Sequence, residues 1–138
     1  MYDTLFSTNT PTTLLSPNSL TSSFGTYQLK LGDDGNLCIV NVWCTYTKNR
    51  GIGPYRLIMQ TDGNLCIYDS TGKYIWGSGS NGMGTPPYRL VMQNDRNLVI
   101  YDYLSQGLWS SGTSLCHIST SLTSDCNNNY LAVMELQV

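Results

Sequence analysis

The stretch Leu57-Ile-Met-Gln-Thr-Asp-Gly-Asn-Leu-Cys-Ile-Tyr-Asp69 alternates between two sets of side chains around a central Asp-Gly pair. Alternation with a period of two is typical of a half-buried β-strand, and Asp-Gly is a strong signal for a hairpin turn. The stretch therefore predicts two short antiparallel strands that meet at Asp62 and Gly63. The parity that carries Leu, Met and Ile is expected to face a core, and the parity that carries Gln, Asp, Asn and Tyr is expected to face outward.

The same pattern occurs three times along the chain. The other copies are Leu29-Lys-Leu-Gly-Asp-Asp-Gly-Asn-Leu-Cys-Ile-Val-Asn41 and Leu90-Val-Met-Gln-Asn-Asp-Arg-Asn-Leu-Val-Ile-Tyr-Asp102. A tryptophan follows each copy at a constant spacing of 33 residues, at Trp43, Trp76 and Trp109. The first copy reaches its tryptophan five residues sooner than the others do, which predicts a shortened connection. Three such units around one axis would bury the tryptophans together, so the repeat predicts an all-β domain with pseudo-threefold symmetry.

Composition narrows the class of protein further. A length of 138 residues favours one domain. Only 12% of the residues are charged and the net charge is -2, so a nucleic-acid partner is not expected. The hydrophobic share of 41% argues against disorder, and no apolar run approaches the about 18 residues of a membrane span. Membrane insertion is therefore not expected, and the N-terminal sequence shows no signal peptide.

Catalytic and metal chemistry are not expected. The one histidine, His117, is adjacent to Cys116 in the sequence. Because adjacent side chains on a strand point to opposite faces, Cys116 cannot easily act as a nucleophile with His117 as its general base. One carboxylate per hairpin is too few for calcium or for the paired carboxyls of glycoside hydrolysis. No cofactor is predicted. Because the number of cysteines is odd, at least one of the five thiols is free or paired between chains. A disulfide between Cys116 and Cys126, which would close a small loop, is one alternative.

Four polar positions recur at one parity in the second and third copies, beside a small apolar position. Together they offer mixed hydrogen-bond donors and acceptors, which suits the adjacent hydroxyls and modest C–H surface of a sugar. Turn chemistry explains Asp62 and Asn64 but not Gln60 or Tyr68, so a ligand face is favoured over a purely structural hairpin. The predicted ligand-binding residues are Gln60, Asp62, Asn64, Cys66 and Tyr68 in one site and Gln93, Asp95, Asn97, Val99 and Tyr101 in another.

The pattern Gln-x-Asp-x-Asn-x-Val-x-Tyr, repeated with trailing tryptophans, resembles the bulb-type mannose-binding lectins of monocots and their relatives. The resemblance covers about residues 1–114; the third copy matches completely, and the second differs only at Cys66. It implies a β-prism II fold with three four-stranded antiparallel sheets, and metal-free, non-catalytic binding of mannose. In that family Asp and Asn bind the axial 2-hydroxyl, Gln contacts the 3-hydroxyl, Tyr contacts the 4-hydroxyl, and Val packs on the ring carbons.

The first copy departs from the family pattern. It keeps Asp34 and Asn36 but has Gly32 in place of Gln, Cys38 in place of Val and Val40 in place of Tyr. Each lost hydrogen bond removes about 0.5–1.5 kcal/mol. This degenerate site is therefore expected to bind weakly or not at all.

Two competent sites per chain predict multivalent binding to mannose-containing glycans and glycoproteins. Arg96, at the place of the turn glycine, is expected either to be solvated or to contact a second sugar residue. The resemblance implies exchange of a C-terminal strand around Leu108 to Thr113, so a homodimer or higher oligomer is expected. Residues 115–138 extend beyond the lectin domain at 1–114, and are interpreted as an oligomerisation strand, a self-packed extension or the start of a second prism.

An alternative function is a protein-interaction module on a β-prism scaffold with eroded sugar sites. The degenerate first copy and the additional C-terminal residues favour this alternative. A defence role is a third hypothesis. An extracellular or cell-surface site of action is expected, and the missing signal peptide leaves a cytoplasmic location open.

Overall fold

The computed structural model describes residues 2–115, which form twelve short β-strands and no helix. No segment of this range could cross a membrane as a helix. In chain order the strands are β1 (Thr4–Phe6), β2 (Thr13–Leu15), β3 (Ser19–Thr21), β4 (Gln28–Leu31), β5 (Leu37–Ile39), β6 (Trp43–Cys44), β7 (Arg56–Met59), β8 (Leu65–Tyr68), β9 (Tyr74–Gly77), β10 (Arg89–Met92), β11 (Leu98–Tyr101) and β12 (Gly107–Ser110).

The strands form three four-stranded antiparallel sheets, one for each repeat. The first-repeat sheet has the order β3-β4-β5-β6, the second-repeat sheet β2-β7-β8-β9, and the third-repeat sheet β1-β10-β11-β12. Each repeat supplies three strands of its sheet, and the N-terminal segment supplies the fourth. The predicted β-prism II architecture is therefore confirmed.

Apolar side chains of one parity fill the space between the three sheets, as predicted. In the second repeat these are Leu57, Met59, Leu65 and Ile67, all fully buried. The equivalent buried residues are Leu29, Leu31, Leu37 and Ile39 in the first repeat and Leu90, Met92, Leu98 and Ile100 in the third. Burial of these side chains from water is the main force that holds the sheets together.

The three tryptophans meet on the axis of the prism. The ring centroids of Trp43, Trp76 and Trp109 lie 5.8–6.4 Å apart, and every pair packs edge to face. This arrangement is favourable for aromatic rings. The predicted meeting of one tryptophan from each repeat is confirmed.

Each hairpin turns through three residues, with a left-handed residue in the last position. In the second repeat the Gly63 N–H donates to the Gln60 carbonyl (3.1 Å), and Gly63 has φ +92°. A side chain at Gly63 would collide with the Tyr88 ring, 2.9 Å from the Cβ position. Gly35 lies in the same way against Tyr55 of the following repeat. Glycine therefore favours the left-handed conformation at both positions, and it leaves space for the tyrosine rings.

The first repeat has the shortened connection that its tryptophan spacing predicts. Only residues 40–42 separate β5 from β6, and Asn41 makes the turn with φ 64°. A disulfide joins Cys38 and Cys44, which face each other on these strands. This pairing was not among the alternatives derived from the sequence.

Most of the residues in the predicted C-terminal extension are not described by the structure. Cys116, His117 and Cys126 lie outside the described residues, as does all of the predicted extension except Leu115. Strand β12 pairs with β11 of its own chain and completes the third-repeat sheet. Exchange of this strand between chains is therefore not needed to close the prism, and the oligomer stays a prediction.

Candidate sugar-binding site

The second-repeat site lies on the outer face of the hairpin formed by β7 and β8. Gln60 follows the last residue of β7, and Cys66 and Tyr68 lie on β8 at the same parity. Gln60 Nε2 donates to the Tyr68 hydroxyl (2.6 Å), and the Cys66 thiol donates to Gln60 Oε1 (3.3 Å). Asn64 Nδ2 lies 3.2 Å from Cys66 Sγ. The structure thus brings together Gln60, Asn64 and Tyr68 around a buried thiol.

Asp62 and Asn64 are oriented by bonds on their inner atoms. Asp62 Oδ1 accepts the Asn64 N–H (2.9 Å), an arrangement that fixes the turn. Asn64 Oδ1 accepts the Ser78 hydroxyl (3.1 Å) and the Gly79 N–H (2.9 Å). These bonds leave Asp62 Oδ2 as an acceptor, and Asn64 Nδ2, which donates to Cys66 Sγ, keeps a second N–H. Asp62 is exposed to solvent.

The local environment keeps the thiol and the phenol of this site protonated. Burial raises the pKa of the Cys66 thiol above its ordinary value of 9.0, and the nearby Asp62 charge raises it further. Desolvation raises the pKa of Tyr68 above 10.0, despite the opposing effect of the Gln60 hydrogen bond. At neutral pH both groups are therefore uncharged, and the Tyr68 hydroxyl keeps a proton to donate.

A pair of hydroxyl side chains supports each turn, and the sequence reasoning missed them. In the second repeat Ser80 donates to the Gly63 carbonyl (2.8 Å), and Ser78 Oγ accepts the Leu65 N–H (3.1 Å). The same hydroxyl pair occurs two and four residues after every tryptophan, which is a signal that could have revealed it. The pairs are Thr45 and Thr47, Ser78 and Ser80, and Ser111 and Thr113.

The first-repeat site keeps only the turn part of this arrangement. Asp34 Oδ1 accepts the Asn36 N–H (2.9 Å), and Asn36 Oδ1 accepts the Thr47 N–H (3.1 Å). Cys38 is in the disulfide, and Val40 is exposed without a polar group. A groove of about 320 Å³ remains on this face, but two of its four polar partners are missing. Weak or absent binding at this site stays a prediction.

The third-repeat site is less exposed than the second-repeat site, although its residues match the family pattern completely. Gln93 Nε2 donates to Asp95 Oδ1 (3.0 Å), and the Tyr101 hydroxyl donates to Gln93 Oε1. Gln93 and Asp95 are only 6% and 3% exposed. Ser114 donates a hydrogen bond to Asp95 Oδ2 (3.2 Å). The expectation that all of these polar side chains face solvent is wrong for Gln93 and Asp95, which are buried.

Two further members of the third-repeat site keep part of the geometry of the second, because the backbone donor to the asparagine is Thr113 rather than the equivalent of Gly79. Asn97 Oδ1 accepts the Ser111 hydroxyl (3.1 Å) and the Thr113 N–H (3.2 Å). Val99 is buried at the position of Cys66.

Arg96 differs from one of the two roles expected for it. Its side chain is half-buried, and Nε donates to the Thr113 carbonyl (3.0 Å). It is therefore not simply a solvated turn residue, and its contact with a second sugar residue stays a prediction. No group of three or more potential metal-ligating side chains occurs within residues 2–115.

No family model matches the chain, and no curated protein does. The fold is similar to monomeric monocot mannose-binding lectins from Gastrodia elata, at 35% identity over 82% of this chain and 99% of that chain, with a TM-score of 0.70. It is also similar to the mannose-specific agglutinin of snowdrop (Galanthus nivalis) complexed with methyl-α-D-mannoside, at 33% identity over 80% and 96% of the chains, with a TM-score of 0.62.

A third similar structure is the tarin lectin bound to trimannose, at 29% identity over 73% of this chain and 89% of that chain, with a TM-score of 0.63. The three-sheet prism and its polar hairpin clusters define a lectin, a carbohydrate-binding protein without catalytic activity. The chain belongs to the family of bulb-type, monocot mannose-binding lectins.

Proposed function

We propose that the chain binds mannose at the ends of high-mannose glycans and glycoproteins through its second-repeat site. The observation that carries this proposal is the pairing of an exposed acceptor, Asp62 Oδ2, with a fixed donor, Asn64 Nδ2. A sugar hydroxyl both donates and accepts hydrogen bonds, so one hydroxyl satisfies both atoms. In the family pattern this hydroxyl is the axial 2-hydroxyl, which separates mannose from glucose.

The other residues of the site supply contacts to the neighbouring hydroxyls and to the ring. Gln60 and Tyr68 are already joined to each other, so they meet the 3- and 4-hydroxyls as a preformed pair. Preorganisation lowers the entropy cost of binding. Cys66 is a free thiol at the valine position of the pattern, and it supports Gln60 and Asn64 from beneath by hydrogen bonds.

The ligands named for similar lectins support this sugar class. The snowdrop agglutinin is complexed with methyl-α-D-mannoside, and the tarin lectin is bound to trimannose. A shallow site of this kind binds one hexose weakly, so useful affinity requires several sites on one branched glycan. An oligomer of the chain that acts on extracellular or cell-surface glycans, with a role in defence, belongs to the same proposal.

A protein-interaction module is the second candidate function. The observation that favours it is the state of the other two sites, since one lacks two polar partners and the other is occupied by Ser114. Such a module would capture a partner whose binding is insensitive to an excess of free mannose. A sugar-dependent partner would be released under the same conditions.

The decisive experiment is calorimetric titration with methyl α-mannoside, with methyl galactoside as the control sugar. The double variant Asp62→Asn with Asp95→Asn alters both sites that have all four polar residues, so the result does not depend on which of them is open. We expect mannoside binding in the native chain, none with galactoside, and loss of binding in the double variant. Asp33→Asn is the matched control, because Asp33 is an exposed turn residue in the first repeat. Full binding by the double variant would contradict the proposal.

A further inference from the structure

We propose that the chain closes its own third-repeat site, and that residues 113–115, here called the cap segment, occupy the place of a hexose on Asp95. The inference concerns the regulation of a site and rests on the proposed mannose-binding function. It predicts that one chain offers one open hexose site rather than the two that the sequence pattern indicates.

The second and third repeats share one backbone hydrogen bond over the turn. The Gly82 N–H donates to the Asp62 carbonyl (2.8 Å), and the Leu115 N–H donates to the Asp95 carbonyl (3.0 Å). The chain therefore meets both turns at equivalent residues, although Asn64 Oδ1 accepts the Gly79 N–H and Asn97 Oδ1 accepts the Thr113 N–H. Yet Asp62 is exposed while Asp95 is 3% exposed.

Every oxygen of the Asp95 carboxylate already accepts a hydrogen bond. Oδ1 accepts the Asn97 N–H (2.9 Å) and Gln93 Nε2 (3.0 Å), and Oδ2 accepts the Ser114 hydroxyl (3.2 Å). In the second repeat, Asp62 Oδ2 is the atom proposed to accept the sugar hydroxyl. The serine hydroxyl thus makes in the third repeat the bond that a hexose would make. A sugar must displace it before binding.

Arg96 and Thr113 hold the cap segment in place through two reciprocal bonds. Arg96 Nε donates to the Thr113 carbonyl (3.0 Å), and the Thr113 hydroxyl donates to the Arg96 carbonyl (2.7 Å). Arg96 adopts φ 76° at the turn position that Gly35 and Gly63 occupy in the other repeats. Glycine has no side chain to make this contact. The hydroxyl bond has counterparts in the other repeats, where Ser80 donates to Gly63 and Thr47 donates to Gly35. Only the guanidinium bond is specific to the third repeat.

The other side of the same turn is also fixed. Asn94 Oδ1 accepts the Phe24 N–H (2.8 Å), and Asn94 Nδ2 donates to Ser23 Oγ (2.7 Å). Asn94 is buried, whereas Thr61 at the equivalent position of the second repeat is exposed. With the turn held on both sides, opening the site requires movement of the cap segment rather than of the turn.

The test is a titration of the full chain with methyl α-mannoside, followed by amide NMR. Amides of Asn64 and Gly79 report the second-repeat site, and amides of Asn97 and Gly112 report the third. The opening variant combines Ser114→Ala with Arg96→Gly, and places at 96 the residue that both other turns use. Asn81→Ala is the matched control, because Asn81 is exposed at the position equivalent to Ser114.

In the native chain and in Asn81→Ala we expect only the second-repeat amides to shift. In the opening variant we expect the third-repeat amides to shift as well, with a dissociation constant within about tenfold of the second-repeat site. Equal midpoints for both sites in the native chain would overturn the inference and leave the proposed function intact. A third-repeat site that stays silent in the opening variant would also overturn it. Silence at both sites in every variant would refute mannose binding itself.

Discussion

Gln60 and Tyr68 join the two strands of the second hairpin through a hydrogen bond of 2.6 Å from Nε2 to the phenolic oxygen. The third hairpin has the opposite polarity, because the Tyr101 hydroxyl donates to Gln93 Oε1. In the second repeat, Tyr68 accepts and so keeps its own proton for a ligand. The phenol of the second repeat is therefore prepared to bind, whereas that of the third is engaged within the protein.

Replacing the Tyr68 hydroxyl tests this difference. We expect Tyr68→Phe to weaken mannoside binding about two- to tenfold, because one hydrogen bond to the sugar is lost. The fold is expected to persist, since the ring keeps its edge-to-face contact with Tyr74. Calorimetry measures the affinity, and Tyr74→Phe on the same face is the control that should leave it unchanged. Unaltered affinity in Tyr68→Phe would exclude the phenol from the site.

The hydroxyl behind Asn64 gives a second prediction. Ser78 binds Asn64 Oδ1 and the Leu65 N–H, so it orients the amide that faces the sugar. We expect Ser78→Ala to lower the free energy of unfolding by about 1 kcal/mol and also to weaken binding at the second-repeat site.

The matched control is Ser111→Ala, which removes the equivalent hydroxyl in the third repeat. It should cost the same stability, measured by urea unfolding, without changing the midpoint of the second-repeat amides. If both variants bind equally, Ser78 supports only the fold and does not position Asn64.

The hairpins and their core were predictable because their determinants are local and periodic. The alternation around Asp62 and Gly63 sets both the turn and the buried face, and the spacing of Trp43, Trp76 and Trp109 sets the symmetry. These signals need no knowledge of the distant chain. The residues of the second-repeat site were predictable for the same reason, because they lie at fixed positions within one hairpin.

The contacts that cover the third-repeat site could not be predicted from the repeat pattern. It depends on Ser114 reaching Asp95, 19 residues away, and on Asn94 reaching Ser23, 71 residues away. A motif compares each hairpin with its copies and contains no information about contacts from distant parts of the chain. The substitution of Arg96 for glycine was the one visible sign, and its role required the position of Thr113.

The loop after β8 contains a buried carboxylate that predicts acid sensitivity. Asp69 accepts hydrogen bonds from the Thr71 hydroxyl (2.7 Å) and from the Ile52, Lys73 and Thr71 N–H groups. These bonds, led by that of the Thr71 hydroxyl, hold the pKa of Asp69 well below its ordinary value of 3.8. Asp102 has a lowered pKa in the third repeat, chiefly through the Gln106 N–H.

The sign of the pH effect follows from the lowered pKa. The folded state favours the ionised carboxylate, so its contribution to stability is complete above pH 3.8 and is lost as the pH falls towards the folded-state pKa. We expect Asp69→Asn to be less stable than the native chain at pH 7, and to lose less stability between pH 5 and pH 2. Urea unfolding at both ends of this range measures the difference. Parallel losses in the two proteins would show that Asp69 does not contribute.

The tryptophan cluster should carry much of the stability of the prism, since each ring touches both others. Removing Trp76 breaks two edge-to-face contacts at 6.4 Å and 5.8 Å and leaves a void between the sheets. We expect Trp76→Ala to lower the free energy of unfolding by about 3 kcal/mol, at the low end for tryptophan because the ring is half-buried. Tyr103→Ala is the control: that ring is 66% exposed, and its loss should change stability by less than about 0.5 kcal/mol. Similar urea midpoints for the two variants would mean that the three sheets do not depend on the axial rings, and that the aliphatic side chains alone hold them together.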